Sequence, residues 1–288
     1  MRLAFVGMLA AAAMATPVTS PAQTGLGRDV EVWTWRGRVD SGRWFRLSNV
    51  NGAVTISPSS DNQVHVRAEK NPGRDGDIRD VSFAVVQSGG DVRICALNRE
   101  TDRCDEDGLH SSDRGDHDRR RNRNVSVKFT VQVPRGVRVG AGTVNGSMTV
   151  RGVGSEVRAS TVNGGLEVTD ASGQVTANTV NGGVRVTTSS GPVSASTVNG
   201  SITARMGALS REGDMRFSTV NGGITVETPS SLDANVTLDT MHGGISSDFP
   251  VTITGKFGPR HAEGTIGRGG RRIKMSTVNG SLELRKVP

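Results

Sequence analysis

The chain has no tyrosine, and aromatic residues make up 3% of its 288 residues. A globular core built on large rings is therefore excluded, because such rings carry much of the buried area in ordinary domains. There are two cysteines, so a disulfide-dense scaffold is excluded, as is a zinc site of several thiolates. Cofactor and catalytic signatures are missing as well. No GxSxG, HExxH or P-loop pattern occurs, and aromatic residues to stack on nucleic-acid bases are lacking. No apolar run long enough to span a bilayer follows the first residues, so no transmembrane span is expected.

What the chain has in excess is glycine, 38 residues, with Val and Thr dominating the second half. Thr-Val-Asn-Gly begins at Thr143, Thr161, Thr179 and Thr197, then returns at Thr219 and Thr277. Thr240 opens a degenerate copy, Thr-Met-His-Gly, and Asn49 opens an outlying Asn-Val-Asn-Gly. The first four copies lie 18 residues apart, a period that marks a repeat architecture whose units bury their apolar faces on one another. Each repeat divides into two halves of nine residues with apolar residues at positions 3 and 5, as in Leu166 and Val168, then Val175 and Ala177. Apolar residues at i and i+2 between Gly or Asn turns read as short strands with one buried face. Position 8, which holds Ala171, Val153, Val162, Val180, Val198 or Val278, reads as a further small core residue.

Asn-Gly between alternating strands also suits an antiparallel hairpin. A meander gives no reason to keep one residue type at every other turn, whereas a stack does. The expected fold is therefore all-β: a single parallel β-solenoid, or β-helix, of about 18-residue coils, right-handed and with roughly ten coils. Asn145, Asn163, Asn181, Asn199, Asn221 and Asn279 would form a structural ladder along it, at turns whose positive φ Asn tolerates. Phe249 to Arg272, with Pro250 and Pro259, reads as an irregular stretch filling the gap before the last copy. Trp33, Trp35 and Trp44 read as a cap on the N-terminal end.

Residues 1–22 have the form of a secretory signal peptide: Arg2, an apolar run from Leu3 to Ala15, then small residues up to Ala22. Residues 23–288 are then one exported solenoid domain, destined for the periplasm, the cell surface or the extracellular space. In that compartment Cys95 and Cys104 are expected to pair. A charged insertion at 98–124 reads as a solvated loop. Its acids and histidines match no calcium-loop spacing, and its arginines can neutralise them, so neither a metal nor any cofactor is expected.

The formal charge of +7 favours an anionic partner, such as an envelope or extracellular polymer, over nucleic acid, which export argues against. The basic groups with most freedom are expected to be Arg119, Arg120, Arg121 and Arg123 in the insertion, with Arg268, Arg271 and Arg272 near the C-terminus. The expected function is a non-catalytic, adhesin-like scaffold that presents its repeat face to such a partner. Two alternatives stand beside it. One is a polysaccharide-active β-helix enzyme, which would need paired carboxylates on one face. The other is a cell-envelope stress protein that binds anionic lipid or peptide.

The repeated VxASTVNGG, preceded by the strand VxFxVxVPRGVxV at Val127–Val139, resembles the bacterial β-strand-repeat domain of unknown function whose members are often named candidate adhesins. The resemblance extends over Val139–Val287 and back to Asn49. It implies the solenoid fold and a place among surface-head and envelope-stress proteins, and it supplies no active site. The 98–124 insertion and the Cys pair depart from its plainer members.

Overall fold

The computed structural model describes residues 20–99, 101–111, 124–209, 213–255 and 258–287. Within them, two long sheets of 13 and 11 strands pack face to face, and the described residues add a separate two-stranded hairpin and a single 3-10 turn at Ile78–Asp80. Each repeat supplies one strand to each sheet. Val157–Asn163 lies in the first sheet and Leu166–Ala171 in the second, and the next repeat adds Val175–Asn178 and Val184–Thr188 beside them. Pairing is parallel and in register: Val139 on Val157 on Val175, and Ala141 on Ala159 on Ala177. The alternation of the sequence sets this arrangement. Val157 and Ala159 point inward and are buried, while Arg158 and Ser160 point outward. The chain is a β-solenoid, as the period implied.

The TVNG corner differs from the expected pattern. Its valines are not core residues: Val162, Val180 and Val198 are 39–40% exposed, whereas Thr161, Thr179 and Thr197 are buried. Period-two alternation carries Ala159 in, Ser160 out, Thr161 in and Val162 out, and the chain turns before another inward position arrives. Burying a hydroxyl costs free energy unless it finds a partner. Each Thr finds one in the glycine carbonyl of the coil before: Thr161 Oγ1 donates to Gly146 O at 3.0 Å, and Thr179 Oγ1 to Gly164 O at 3.0 Å.

The asparagines do form a ladder. Nδ2 of Asn163, Asn181, Asn199, Asn221 and Asn279 each donates to Oδ1 of the preceding Asn at 2.7–2.8 Å. The ladder starts one step earlier than expected, with Asn145 donating to Asn51 at 2.7 Å. None of these asparagines has a positive φ; among the described non-glycine residues only Asp170 does. The turn constraint falls on the glycine instead. A Cβ on Gly182 would run into the carbonyl of Gly164, and one on Gly200 into that of Gly182.

Stacking order departs from chain order at both ends. The last repeat, Arg271–Asn279 with Leu282–Lys286, inserts between Met215–Asn221 with Ile224–Thr228 and Ala234–His242 with Ile245–Ser247. Asn279 is therefore an interior position flanked by Asn221 and His242. The stretch from Phe249 is not irregular throughout. Thr252–Thr254 and Arg260–Ile266 pair antiparallel and close that end of the first sheet. At the other end, Asp91–Leu97 and Val125–Val133 stack outside Trp44–Ser48 and Val54–Pro58, and Arg138–Asn145 returns to the inner side.

Antiparallel strands Val32–Gly37, Val64–Pro72 and Ser82–Ser88 cap the N-terminal end. Trp33 stacks on Phe83 there, with ring centroids 4.5 Å apart, and Trp35 packs against the same core. Lys70 is fully buried in this cap, and its Nζ donates to the carbonyls of Gly27, Arg28 and Ile78 at 2.6, 3.0 and 2.8 Å. Trp44 is not part of the cap; it lies on the outer face of the first sheet. Most of the expected leader falls outside the described residues. Ser20–Leu26 forms an edge strand on Ser82–Ser88, and its pairings at Gln23 and Leu26 lie beyond the expected cleavage site.

Two substitutions at one corner separate the packing constraint from the ladder. Gly182→Ala forces side chain against backbone and should cost about 3 kcal/mol or more. Asn181→Ala removes two solvent-exposed hydrogen bonds and should cost about 1 kcal/mol. Urea denaturation of both variants checks the ranking; an alanine at 182 tolerated as well as one at 181 would contradict the close packing of the corners.

Candidate functional site

Cys95 and Cys104 are bonded, with S–S 1.99 Å and Cα atoms 6.1 Å apart. The bond does more than close a loop. Cys95 sits on the outer face of Asp91–Leu97, beside Ala84, Val86 and Leu97, which also point outward and are buried. The hairpin formed by Arg103–Cys104 and Leu109–His110 folds back over them, so part of the charged insertion is ordered as a lid on a small second core. Arg93 Nη2 donates to Glu106 O at 2.9 Å, and Ser88 Oγ to Glu106 Oε2 at 2.9 Å, fixing the far side of that hairpin.

Arg119, Arg120, Arg121 and Arg123 lie outside the described residues. The C-terminal arginines are not the loose cations expected of them. Arg268 grips Asp233 through Nη2–Oδ2 at 2.8 Å, Arg272 grips Asp214 at 2.6 Å, and Arg271 donates to Leu209 O at 3.1 Å. Both aspartates also accept from the backbone N–H of their arginine. These contacts draw the Asp214 and Asp233 pKa values below the ordinary carboxylate value: the Arg272 side chain acts first on Asp214, the Arg268 backbone first on Asp233. Arg271 and Arg272 hold the out-of-order last repeat to its neighbour, and Arg268 holds the turn that leads into it.

Along the coils, other carboxylates stand beside arginines: Glu156 with Arg158 at 2.8 Å, Glu167 with Arg151 at 3.8 Å, Glu227 with Arg205 at 3.7 Å and Glu283 with Arg285 at 2.6 Å. Among the described residues, no group of three His, Cys, Asp or Glu is placed to hold a metal. No helix there is long and apolar enough to cross a membrane.

Two surface constellations escaped the sequence reading. At the C-terminal end of the first sheet, His261 lies between two acids, with Nδ1 2.7 Å from Asp239 Oδ1 and Nε2 3.5 Å from Glu263 Oε2; Lys274 Nζ is 4.0 Å from Asp239 Oδ2. The Asp239 hydrogen bond raises the His261 pKa above its ordinary 6.5, against the opposing effect of burial and with help from Glu263. Toward the N-terminal end, three guanidinium groups surround Trp44: Arg158 at 4.7 Å, Arg46 at 4.8 Å and Arg138 at 5.8 Å from the ring centroid. Trp44 and Arg46 are two apart, and Arg138 and Arg158 fall on the next two coils, so the coil spacing was a signal that could have joined them.

The family described as Toastrack DUF4097 matches residues 46–285. Two solved structures are similar at low identity. A candidate cell adhesion protein from Clostridium sporogenes is 9% identical, with 89% of this chain and 99% of that chain covered and a TM-score of 0.37. A candidate adhesin from Bacteroides fragilis is 10% identical, with 89% and 97% covered and a TM-score of 0.35. Neither likeness bears on what this chain binds. No curated protein matches the chain.

The raised pKa of His261 gives a pH dependence of fixed sign. Protonated His261 ties Arg260–Ile266 to Ala234–His242, so its stabilisation is complete below the ordinary imidazole value and is lost as pH rises through the raised one. Hydrogen exchange of residues 260–266 should be faster in His261→Gln than in the unsubstituted protein at about pH 6, below the ordinary imidazole value, and the two should converge as pH rises past the raised one. A difference that grows with pH would reverse this reading.

Proposed function

The chain belongs to the Toastrack DUF4097 family, and on that premise we propose that it is a non-catalytic, exported, adhesin-like scaffold that presents its repeat face to an anionic envelope or extracellular partner. The observation that carries the reading is the state of the acids. Glycosidic hydrolysis needs two carboxylates across a groove, one of them with its pKa pushed up to act as acid. Here the coil carboxylates Glu156, Glu167, Glu227 and Glu283 stand against arginines. The described carboxylates whose pKa moves clearly, Asp61, Glu69, Asp77, Asp105, Asp214 and Asp233, all move downward. A surface of neutralised acids suits binding better than proton transfer. The Cys95–Cys104 bond suits an oxidising compartment, in keeping with the leader-like residues 1–22.

The net charge of +7 makes attraction to polyanions the dominant long-range force. The mature protein should bind alginate, lipopolysaccharide or phosphatidylglycerol vesicles at low salt. Binding should weaken steeply once ionic strength passes about 0.1 M, where the Debye length is about 10 Å. Titration by calorimetry at several salt concentrations tests this. Salt-insensitive binding, or shortening of a polysaccharide by the protein, would place it in another class.

A further inference from the structure

Arg93, Arg46, Gly140, Arg158 and Thr176 form one row across five neighbouring strands of the first sheet, each in register with the next. The adjacent row runs Ser48, Gly142, Ser160 and Asn178. All of these residues line a recess of about 340 Å³ on the outer face, and no carboxylate is among its lining residues. Arg93 and Arg46 stand directly opposite on neighbouring strands, a like-charge pairing that destabilises a sheet, and Arg158 lies one strand further on, across Gly140. Arg46 is partly relieved by Asp91, 2.8 Å from its Nη1, and Arg158 by Glu156; both acids sit outside the recess. Arg93 donates Nη2 to Glu106 O at 2.9 Å and lies near Asp105, Asp107 and Asp91. Its Nε is buried without a hydrogen-bond partner, and burial first, then Arg46, lowers its pKa.

The glycines make the recess. Neither Gly140 nor Gly142 has a positive φ, so the backbone does not require them. A Cβ at Gly140 would meet Arg46 Cγ at 3.3 Å and the ring edge of Trp44 at 3.7–3.8 Å. At Gly142 a Cβ would meet only Ser160 Oγ, at 3.2 Å. The result is a dip one strand wide, with guanidinium groups on both sides, an aromatic edge, and hydroxyl and amide groups along one flank.

We propose that this recess is the subsite for a carboxylate-bearing sugar, a uronate unit of an acidic polysaccharide, with the carboxylate held by Arg46 and Arg158, which flank the dip, and the ring hydroxyls by Ser48, Ser160 and Asn178. The proposal rests on the reading of the chain as a binder of anionic polymer and gives that reading a place. A planar carboxylate matches the guanidinium fork, and the polar flank matches a ring of hydroxyls. The exposed valines Val144, Val162 and Val180 follow the polar row on the same face, so a lipid headgroup is the competing occupant; the hydroxyl and amide flank nearer the arginines favours the sugar.

Calorimetric titration with a mannuronate tetramer, with a neutral cello-tetraose of equal length as control, tests the proposal on the mature protein. The unsubstituted protein should bind the uronate and not the neutral sugar. Gly142→Val, which fills the dip at a position where Val suits the strand, should weaken binding at least ten-fold with the melting temperature unchanged or raised. Arg158→Gln should weaken it about ten-fold. Replacing Arg119, Arg120, Arg121 and Arg123 by Ser should change tetramer affinity less than two-fold. Uronate binding that both recess variants leave intact would overturn the site but not the broader reading. Absence of binding to the tetramer, alginate, lipopolysaccharide and phosphatidylglycerol vesicles alike would overturn both. Loss of vesicle binding in Gly142→Val with the tetramer unbound by any form would show that the recess takes a lipid, and would overturn the sugar assignment.

Discussion

Everything in this molecule depends on how closely one corner approaches the next. The carbonyl of each corner glycine occupies the space where the side chain of the following corner glycine would be: Gly146 under Gly164, Gly164 under Gly182, Gly182 under Gly200. Only glycine permits that approach, and it leaves the stack a single register. Given the register, Val lies on Val and Ala on Ala through the core. The buried Thr reaches the glycine carbonyl below it, and each Asn reaches the Asn below. A slip of one residue would turn every inward Val outward. The near-identity of the repeats is thus a requirement of the corner as well as a relic of duplication.

That logic explains which parts of the structure were legible. Asn and Gly repeating every 18 residues with Val and Ala two apart admit a parallel stack and little else, so the solenoid and the ladder could be read from the chain. The corner valines could not. Ser-Thr-Val-Asn reads as a motif with one apolar residue, and the eye puts that residue inside; only the backbone shows that two successive outward positions occur at the turn and that Thr fills the inner one. The order of the coils was hidden for a different reason. Repeats this alike are complementary to any copy, so the Thr277 repeat fits between the Thr219 and Thr240 repeats as well as beyond them. The ion pairs Arg272–Asp214 and Arg268–Asp233, joining residues far apart in the chain, accompany the observed choice. The Trp44 recess was illegible because its row draws on strands from Asp91–Leu97 to Val175–Asn178, and its shape comes from side chains that are missing.

The same regularity bears on function. A stack of identical coils is rigid, and a rigid face loses little entropy on binding an extended partner. Along most of the coils the outward charges offset one another in Arg–Glu pairs. Near the N-terminal end that balance fails: arginine is set against arginine, glycine replaces the expected side chains, and the disulfide-pinned hairpin walls the neighbouring strand. Local departures from an otherwise consistent pattern are where function is best sought.

The order of the coils is the claim from which the rest follows, and cysteine cross-linking at the exposed corner tests it most directly. Val220 and Val278 occupy neighbouring corners, as do Val278 and Met241, whereas Val220 and Met241 are separated by one coil. Neighbouring parallel strands lie about 4.8 Å apart, within disulfide reach, and strands two apart do not. The account predicts that Val220→Cys with Val278→Cys, and Val278→Cys with Met241→Cys, form disulfides under mild oxidation, while Val220→Cys with Met241→Cys does not. Efficient bonding of that last pair would mean the coils stack in chain order, and would contradict the structure described here.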